Sequence, residues 1–537
     1  MPYHILVTDE VDPDGVEILR AEPAFAVTEV PTLPREELFA RIGEFDAIVG
    51  RSATRVPGEL LRRAPRLRVI GRAGVGTDNI DIETATALGI AVINAPAGNT
   101  IAVAELFFGA VLGLLRDLPR AAQSMREGRW DRSTFLGQEL RGRTLGVVGL
   151  GRIGGEVAHR ALAFAMEAVA FDPYVTDERF QTLRVRRAAS LEELLAESNV
   201  LTVHTPLTEE TRGLIGRREL SRLPANAIVV NMARGGIVDE AALAAALTGG
   251  QVAGAVLDVY SHEPLAADSP LRALPNVHLT PHLGASTAEA QRNVAVDVCV
   301  AVRDALLSGE VSKAINVAGA DGTAWAEERP AIVLARRTAA VARAVLADRG
   351  VRAIQRLSLR HGPELTAAAP MLLASAAAGI LEGVADVERL NLINARALAE
   401  ARGVELTHAC ATNLGHARAL QVSVGGGMQE IAVGGVAPSG TTPRLTRIGG
   451  FHVDAVPRQT LLILTNNDVP GVIGRVGTLL GDASVNIAEY HQARLEAGGE
   501  ALAAISVDGE VDEALRQRLL AIPDVLSAVV VHFRDDG

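Results

Sequence analysis

From residue 3 to about 93, short apolar runs (Ile5 to Thr8, Ala47 to Val49, Val69 to Ile70, Ala91 to Ile93) alternate with stretches of helical periodicity. That alternation predicts βα units on a parallel sheet. Residues 99 to 127 predict one long helix, with Asn99 or Thr100 as its cap and Gly128 as its stop. A second alternating series follows, with strand candidates at Leu145 to Val148, Ala168 to Phe171, Val200 to Val203, Ala227 to Val230, Ala253 to Leu257 and Val277 to Leu279. Six strands with intervening helices is the count of a doubly wound dinucleotide-binding sheet. Ser286 to Leu307 then predicts a long helix that leads away from this unit and back to the first.

Residues 318 to 456 form a block rich in Ala and Gly without an assignable motif. After Pro457 the pattern becomes strand (Leu461 to Thr465), helix (Val472 to Leu480), strand (Val485 to Arg494), strand (Leu502 to Val507), helix (Val511 to Leu520) and strand (Leu526 to Phe533). The order βαββαβ is the ferredoxin-like split unit. The expected organisation is therefore α/β throughout. A discontinuous flavodoxin-like substrate-binding domain takes 1–98 with 292–317, and a Rossmann-type domain takes 99–291. An intervening α+β domain covers 318–456, and a ferredoxin-like domain covers 457–537.

Composition removes several classes of function. The 52 basic and 64 acidic residues leave a net charge of -12, so neither a nucleic-acid surface nor an anionic-membrane surface is expected. Any bound anion must be held by a local cluster. Lys313 is the sole lysine and lies in no phosphate-loop pattern, and a Schiff-base chemistry would depend on it alone. Cys299 and Cys410 are far apart with no C-x-x-C, which excludes a disulfide framework or a thiolate zinc site and fits a reducing cytoplasm. Met1 to Asp9 has no basic region ahead of its apolar stretch, so no signal peptide is expected. The apolar runs Ile101 to Leu115 and Leu365 to Leu381 fall short of a bilayer's ~20 residues and predict buried helices.

Gly149-Leu150-Gly151-Arg152-Ile153-Gly154 gives G-x-G-x-x-G directly after an apolar strand and at the start of a helix. Gly149 permits the tight turn, Gly151 lets backbone approach a pyrophosphate, and Gly154 allows close helix packing. The helix N-terminus offers free N–H groups to the phosphates. Asp172 ends the next strand, where a carboxylate bonds both ribose hydroxyls and repels a 2'-phosphate, so the expected cofactor is NAD.

Arg234, Glu263 and His282 stand at the ends of later strand candidates, and ligands in open α/β sheets sit beyond those carboxyl ends. His282 would take a hydroxyl proton as hydride leaves the same carbon, Glu263 would orient the imidazole, and Arg234 would fork onto a carboxylate. No metal is called for.

Three strings, Gly149 to Gly154, Asn231 to Glu240 and Thr280 to Thr287, resemble the signatures of the D-isomer-specific 2-hydroxyacid dehydrogenases. Arg51 to Thr54, Gly71 to Asn79 and Asn94 to Thr100 extend the resemblance to the long branch of that family, which acts on 3-phosphoglycerate and carries an intervening and an ACT domain. The resemblance implies catalytic roles for Arg234, Glu263 and His282, and NAD contacts for Arg152, Ile153, Asp172, Thr205 and Asp258, the last near the carboxamide. It also sets Asn99 and the Val75-Gly76 backbone against the substrate carboxylate. For the substrate phosphate the candidates are Arg51, Arg72 and, from a partner subunit, Arg129 or Arg132. A homotetramer is implied, with the apolar helix Ile101 to Leu115 as a contact surface.

In the tail, Asn466 to Gly474 and Ser484 to Ala488 are similar to the small-molecule turn of an ACT domain. The resemblance makes L-serine the expected effector, with Asp468 and Asn486 holding its ammonium and polar side chain where two such domains pair. Another amino acid in the effector role stays open. The other reading of Asp468 and Asn486 is structural, as a helix cap and a turn residue. Arg444, Arg447 and His452 form a second candidate anion site. Two rival functions share this sequence pattern: a glyoxylate or hydroxypyruvate reductase, which needs no phosphate-binding arginines, and an NAD-sensing corepressor-like binding protein.

Overall fold

Five short parallel strands form the first sheet: β1 (Tyr3–Val7), β2 (Phe25–Glu29), β3 (Ala47–Gly50), β4 (Val69–Arg72) and β5 (Ala91–Asn94). Their order is β2-β1-β3-β4-β5, the flavodoxin-like order, with the direction of travel reversing between β1 and β3. The structure is a computed structural model and describes residues 2–317, 319, 325–383 and 389–533.

The second sheet has seven parallel strands: β6 (Thr144–Val148), β7 (Glu167–Phe171), β8 (Arg186–Arg187), β9 (Val200–Val203), β10 (Ile228–Asn231), β11 (Gly254–Leu257) and β12 (Val277–Leu279). Their order, β12-β11-β10-β9-β6-β7-β8, is the doubly wound arrangement, with its switch point between β6 and β9. The strand that the apolar pattern does not reveal is β8, two exposed arginines at the sheet edge. Buried strands read as continuous apolar runs, and an exposed two-residue edge has no such run.

The single helix expected over 99–127 is two helices, Thr100–Leu115 and Leu118–Arg126. Pro119 has no N–H to give to the carbonyl of Leu115, and Asp117 turns the chain at φ 49°. Leu115 O accepts instead from Gln138 N at 3.0 Å. Thr100–Leu115 buries Val103, Phe107 and Val111 within its own unit. Farther on, Thr287 caps helix Ala288–Ser308, which returns to the first sheet and buries Val294, Val298 and Val302 with Val49 and Val69.

The motif-free block contains a six-stranded sheet: β13 (Arg356–His361), β14 (Glu405–Cys410), β15 (Ala419–Gly426), β16 (Gln429–Val436), β17 (Arg444–Ile448) and β18 (Phe451–Ala455). Helices Trp325–Asp348 and Ala369–Leu381 cover it and supply most of its core, Leu334, Ala339, Leu372 and Ala376 among it. The loop after the second of these meets the first unit, where Arg389 donates to Leu67 O and Ala64 O, and Asn391 to Gly89 O.

The tail is β19 (Thr460–Asn467), helix Val472–Asp482, β20 (Asn486–Arg494), β21 (Glu500–Asp508), helix Glu513–Leu520 and β22 (Val525–His532), in sheet order β20-β21-β19-β22. That antiparallel order is the ferredoxin-like one. Among the described residues no helix is long and apolar enough to cross a membrane.

Candidate active site

The glycine turn follows β6 because two steric demands meet there, beside one open position. Gly149 sits at φ 92°, where a Cβ would lie 2.7 Å from His204 O and 2.9 Å from Thr205 Cγ2. A Cβ on Gly154 would collide with Gly149 O, whereas one on Gly151 would meet open space. Gly151 is the N-cap of helix Arg152–Ala163 and supplies no side chain to its amides, so those N–H groups face the opening. Arg152 stands exposed at the first helical position and Ile153 packs part-buried behind it. Asp172, just past β7, accepts from Leu150 N at 2.8 Å through one oxygen and from Tyr174 N at 2.9 Å through the other. Beside Gly149, Thr205 Oγ1 and His204 Nδ1 are buried with no partner. Orphaned polar atoms against an open glycine turn fit a dinucleotide ligand. Arg179 braces the same turn, donating to Gly151 O at 3.0 Å.

Beyond the carboxyl ends of β10, β11 and β12 the three candidate catalytic residues converge. Asn231 brackets the first turn, donating to Arg234 O at 2.9 Å and accepting from Ala233 N at 3.1 Å. A Cβ on Gly235 would collide with Tyr260 O, so this turn packs directly against the next. There Tyr260 N donates to Glu263 Oε1 at 3.1 Å, and Glu263 Oε2 lies 2.9 Å from His282 Nδ1. Nε2 of the imidazole is left for a ligand.

His282 itself is held at φ 55°. Asp258, fully buried, accepts from Leu283 N (2.7 Å), Gly284 N (2.8 Å) and Thr280 Oγ1 (2.6 Å). These three bonds let it position the histidine turn, and Oδ2, which accepts only one of them, keeps acceptor capacity. Tyr260 Oη lies within 3.0 Å of Leu257 O and 2.8 Å of Thr280 O, tying β11 to β12. Burial, and then Asp258, push its phenol up to about 12, so it remains a donor.

Opposite stand the cations of the first unit. Arg234 Nε donates to Asp78 Oδ2 at 3.0 Å across the cleft, and a Cβ on Gly76 would collide with Nη2 of Arg234. Glycine is therefore required where the Val75-Gly76 backbone meets the arginine. Arg72 is lowered to about 10, by burial first and then by Arg234 and Arg51, against opposing pulls from Asp78 and Asp9. Its Nε has no partner, and neither does Asn99 Oδ1. Asn99 is the N-cap of helix Thr100–Leu115 yet makes no side-chain cap bond.

Not every candidate joins this cluster. Arg129 is paired with Glu127 and Asp131, and Arg132, expected like it to act from a partner subunit, stands exposed on the turn Arg132–Thr134. Arg444 is bound to Asp454 and Glu489, and Arg447 donates to Gly449 O. Of the candidate second anion site at Arg444, Arg447 and His452, weighed against a solvated face, Arg444 is therefore taken by the protein's own carboxylates.

In the tail, Asn467 pairs with Glu500 and Asn486 with Asp508 at the other end of β21. Asp468 and Asn486 thus lie ~26 Å apart within one chain, at ~3.3 Å per residue. Asp468 accepts from Arg494 Nη1 at 3.0 Å and Gly498 N at 3.2 Å, which hold its carboxyl below the usual range. Asn486 donates to Asp508 at 2.9 Å. One chain does not bring the two together.

Residues that strand-end reading passed over are Asp9, Asp78, Asn79, Arg179 and Tyr260. Asp9 carries the same signal as Arg234, a polar residue just after a strand.

A cofactor turn after β6, a His–Glu pair beyond β11 and β12 of the same sheet and an arginine cluster together define an NAD-linked oxidoreductase. Residues 108–284 match the D-isomer specific 2-hydroxyacid dehydrogenase NAD binding domain, and residues 460–524 match the ACT domain. The D-3-phosphoglycerate dehydrogenase of Methanocaldococcus jannaschii is 36% identical over 529 residues, covering 98% of this chain and 99% of that protein. That of Mycobacterium tuberculosis is 40% identical over 532 residues, covering 98% of each. The chain belongs to the D-3-phosphoglycerate dehydrogenases, a branch of the D-isomer specific 2-hydroxyacid dehydrogenase family. Among solved structures, a glyoxylate reductase from Paecilomyes thermophila matches at TM-score 0.54 and 32% identity over 59% of this chain and 99% of that one. A D-lactate dehydrogenase from Aquifex aeolicus, complexed with NAD and lactic acid, matches at TM-score 0.51 and 29% identity over 57% of this chain and 97% of that one. The cofactor is NAD.

Proposed function

We propose that this chain oxidises 3-phospho-D-glycerate to 3-phosphohydroxypyruvate, the entry step to L-serine, with L-serine as feedback effector through the ACT unit. The observation that carries the substrate is the cluster of Arg51, Arg72 and Arg234, the last on a turn packed against the Tyr260 turn that holds Glu263, because a small substrate with a carboxylate and a phosphate needs several guanidinium groups inside an otherwise acidic protein. When bound, NAD would supply the hydride acceptor for the hydroxyl-bearing carbon. His282 takes the hydroxyl proton on Nε2, since Nδ1 is committed to Glu263. Arg234 holds the carboxylate with Asn99 and the Val75-Gly76 backbone, while Arg51 and Arg72 hold the phosphate. Gly149, Gly151 and Gly154, with Arg152, Ile153, Asp172 and Thr205, cradle the cofactor, and Asp258 fixes the histidine turn.

The working units are 1–98 with 292–317 for substrate, 99–291 for NAD, 318–456 as intervening domain and 457–537 for regulation. We place the assembly as a homotetramer. The surface that supports it is the segment after the apolar helix, where Met125, Trp130 and Leu136 are 55%, 79% and 94% exposed. Helix Thr100–Leu115 buries one face internally and leaves Ile101, Glu105 and Gly109 exposed on the other, so it too is available as a contact. An effector site using both Asp468 and Asn486 takes one residue from each of two chains. Two free cysteines, one of them exposed, fit the cytoplasm.

The test is kcat/KM for reduction of 3-phosphohydroxypyruvate against hydroxypyruvate, with and without L-serine. A preference of ~10²-fold or more for the phosphorylated acid, lowered by serine, supports the proposal. Equal use of both supports the glyoxylate or hydroxypyruvate reductase reading instead.

A further inference from the structure

The order of the first sheet reverses between β1 and β3, and open α/β sheets take ligands at such a reversal, outside the carboxyl ends of the strands. Asp9 follows β1 there, and Arg51 follows β3. The two strands leave no slack: Thr8 N donates to Val49 O at 2.8 Å, and a Cβ on Gly50 would lie 2.6 Å from Thr8 Oγ1.

Asp9 is 7% exposed and held at φ 64°, a region Asp adopts more readily than most residues. Its carboxylate accepts four hydrogen bonds. Oδ1 takes Thr32 Oγ1 at 2.7 Å and Thr54 Oγ1 at 2.6 Å, while Oδ2 takes Arg51 N and Thr54 N, each at 2.8 Å. The carbonyl side of the same loop is gripped by Asn79, whose Nδ2 donates to Arg51 O at 3.0 Å and Thr54 O at 2.7 Å. The loop Arg51–Thr54 is thus clamped through its backbone from both sides. The guanidinium of Arg51 has no carboxylate within ion-pair distance among the described residues, so the clamp fixes the arm and leaves its charge for a ligand.

We propose that Asp9 is a positioning residue that sets selectivity for phosphorylated over unphosphorylated 2-keto acids, with Asn79 as its counterpart on the carbonyl side. This rests on the reading that Arg51 meets the substrate phosphate. A buried carboxylate accepting four bonds cannot be replaced by an amide without turning an NH2 group toward donors, so the Asp9→Asn loop loses at least one pair of contacts. A guanidinium displaced by about 1 Å loses much of its forked contact, a loss that reaches ~10²-fold in well-built sites.

The experiment measures kcat/KM for 3-phosphohydroxypyruvate and for hydroxypyruvate with NADH, in wild type, R51A, D9N and N79A, together with NADH affinity by fluorescence titration. In D9N the phosphorylated acid is expected to lose at least ~10-fold more than the unphosphorylated one, and N79A to move the ratio in the same direction. NADH affinity stays at the wild-type value in both. If R51A lowers the ratio while D9N and N79A keep it, or if both substrates fall by equal factors, the inference is wrong and the phosphate reading stands. If R51A leaves the ratio unchanged, the phosphate reading falls and the inference with it. Should D9N fail to bind NADH, N79A alone decides.

Discussion

The imidazole Nδ1 of His282 lies 2.9 Å from Oε2 of Glu263, although the two residues follow different strands, β12 and β11. Glu263 is itself fixed through its other oxygen by Tyr260 N. The pair is preorganised before any substrate arrives, and the carboxylate selects the tautomer that leaves Nε2 free. In E263Q the amide competes for orientation and the charge is gone, so kcat is expected to fall by at least ~10-fold. NADH affinity should not change, as fluorescence titration would show.

Arg72 carries the strongest conflict between stability and function. Burial and the nearby Arg234 and Arg51 depress its pKa to about 10, so at pH 7 the native state holds a charge that costs on the order of 1–3 kcal/mol. That cost is present at neutral pH and disappears as pH rises past 10. R72M is expected to raise the first thermal transition by a few degrees while lowering kcat/KM for 3-phosphohydroxypyruvate at least ~10-fold. Calorimetry and initial rates on the same sample check both halves.

His204 makes acid stability pH-dependent in a defined window. Burial lowers its pKa to about 4, against an ordinary 6.5. Below pH 6.5 the unfolded chain takes a proton there that the folded chain refuses, so stability is lost as pH falls from 6.5 to 4 and is complete above 6.5. The H204Q variant should show a shallower fall in denaturation midpoint across that window. An unchanged slope would assign the acid limb to other groups.

Trp130 and Leu136 test the assembly. Replacing both by aspartate should reduce the mass seen by light scattering from four chains to fewer, without loss of NADH binding. A wild-type protein already monomeric would contradict the proposal.

Residues whose role depends on their neighbours in the chain are legible from sequence. Gly149, Gly151, Gly154 and Asp172 are set by one βαβ passage, and the strand-end positions of Arg234, Glu263 and His282 follow from apolar runs alone. The break before Leu118 was readable in principle, because Pro119 cannot continue a helix. Asp9 was legible as a strand-end residue, but the grip that it and Asn79 have on Arg51 was not, because it requires β1 to lie beside β3, which is a fact of sheet order. The separation of Asp468 and Asn486 within one chain was not legible for a related reason, since strand register places them at opposite ends of β21. The pairing of Arg444 is likewise a matter of sheet order, because β18 and β20 bring Asp454 and Glu489 against it.

The most direct test of the central claim is the initial rate of NADH oxidation with 3-phosphohydroxypyruvate, in wild type and in H282Q, with NADH affinity measured alongside. The account requires turnover by the wild type and a loss of ~10²-fold or more in kcat for H282Q with NADH still bound. Equal rates in the two proteins, or no turnover of this keto acid by the wild type, would contradict it.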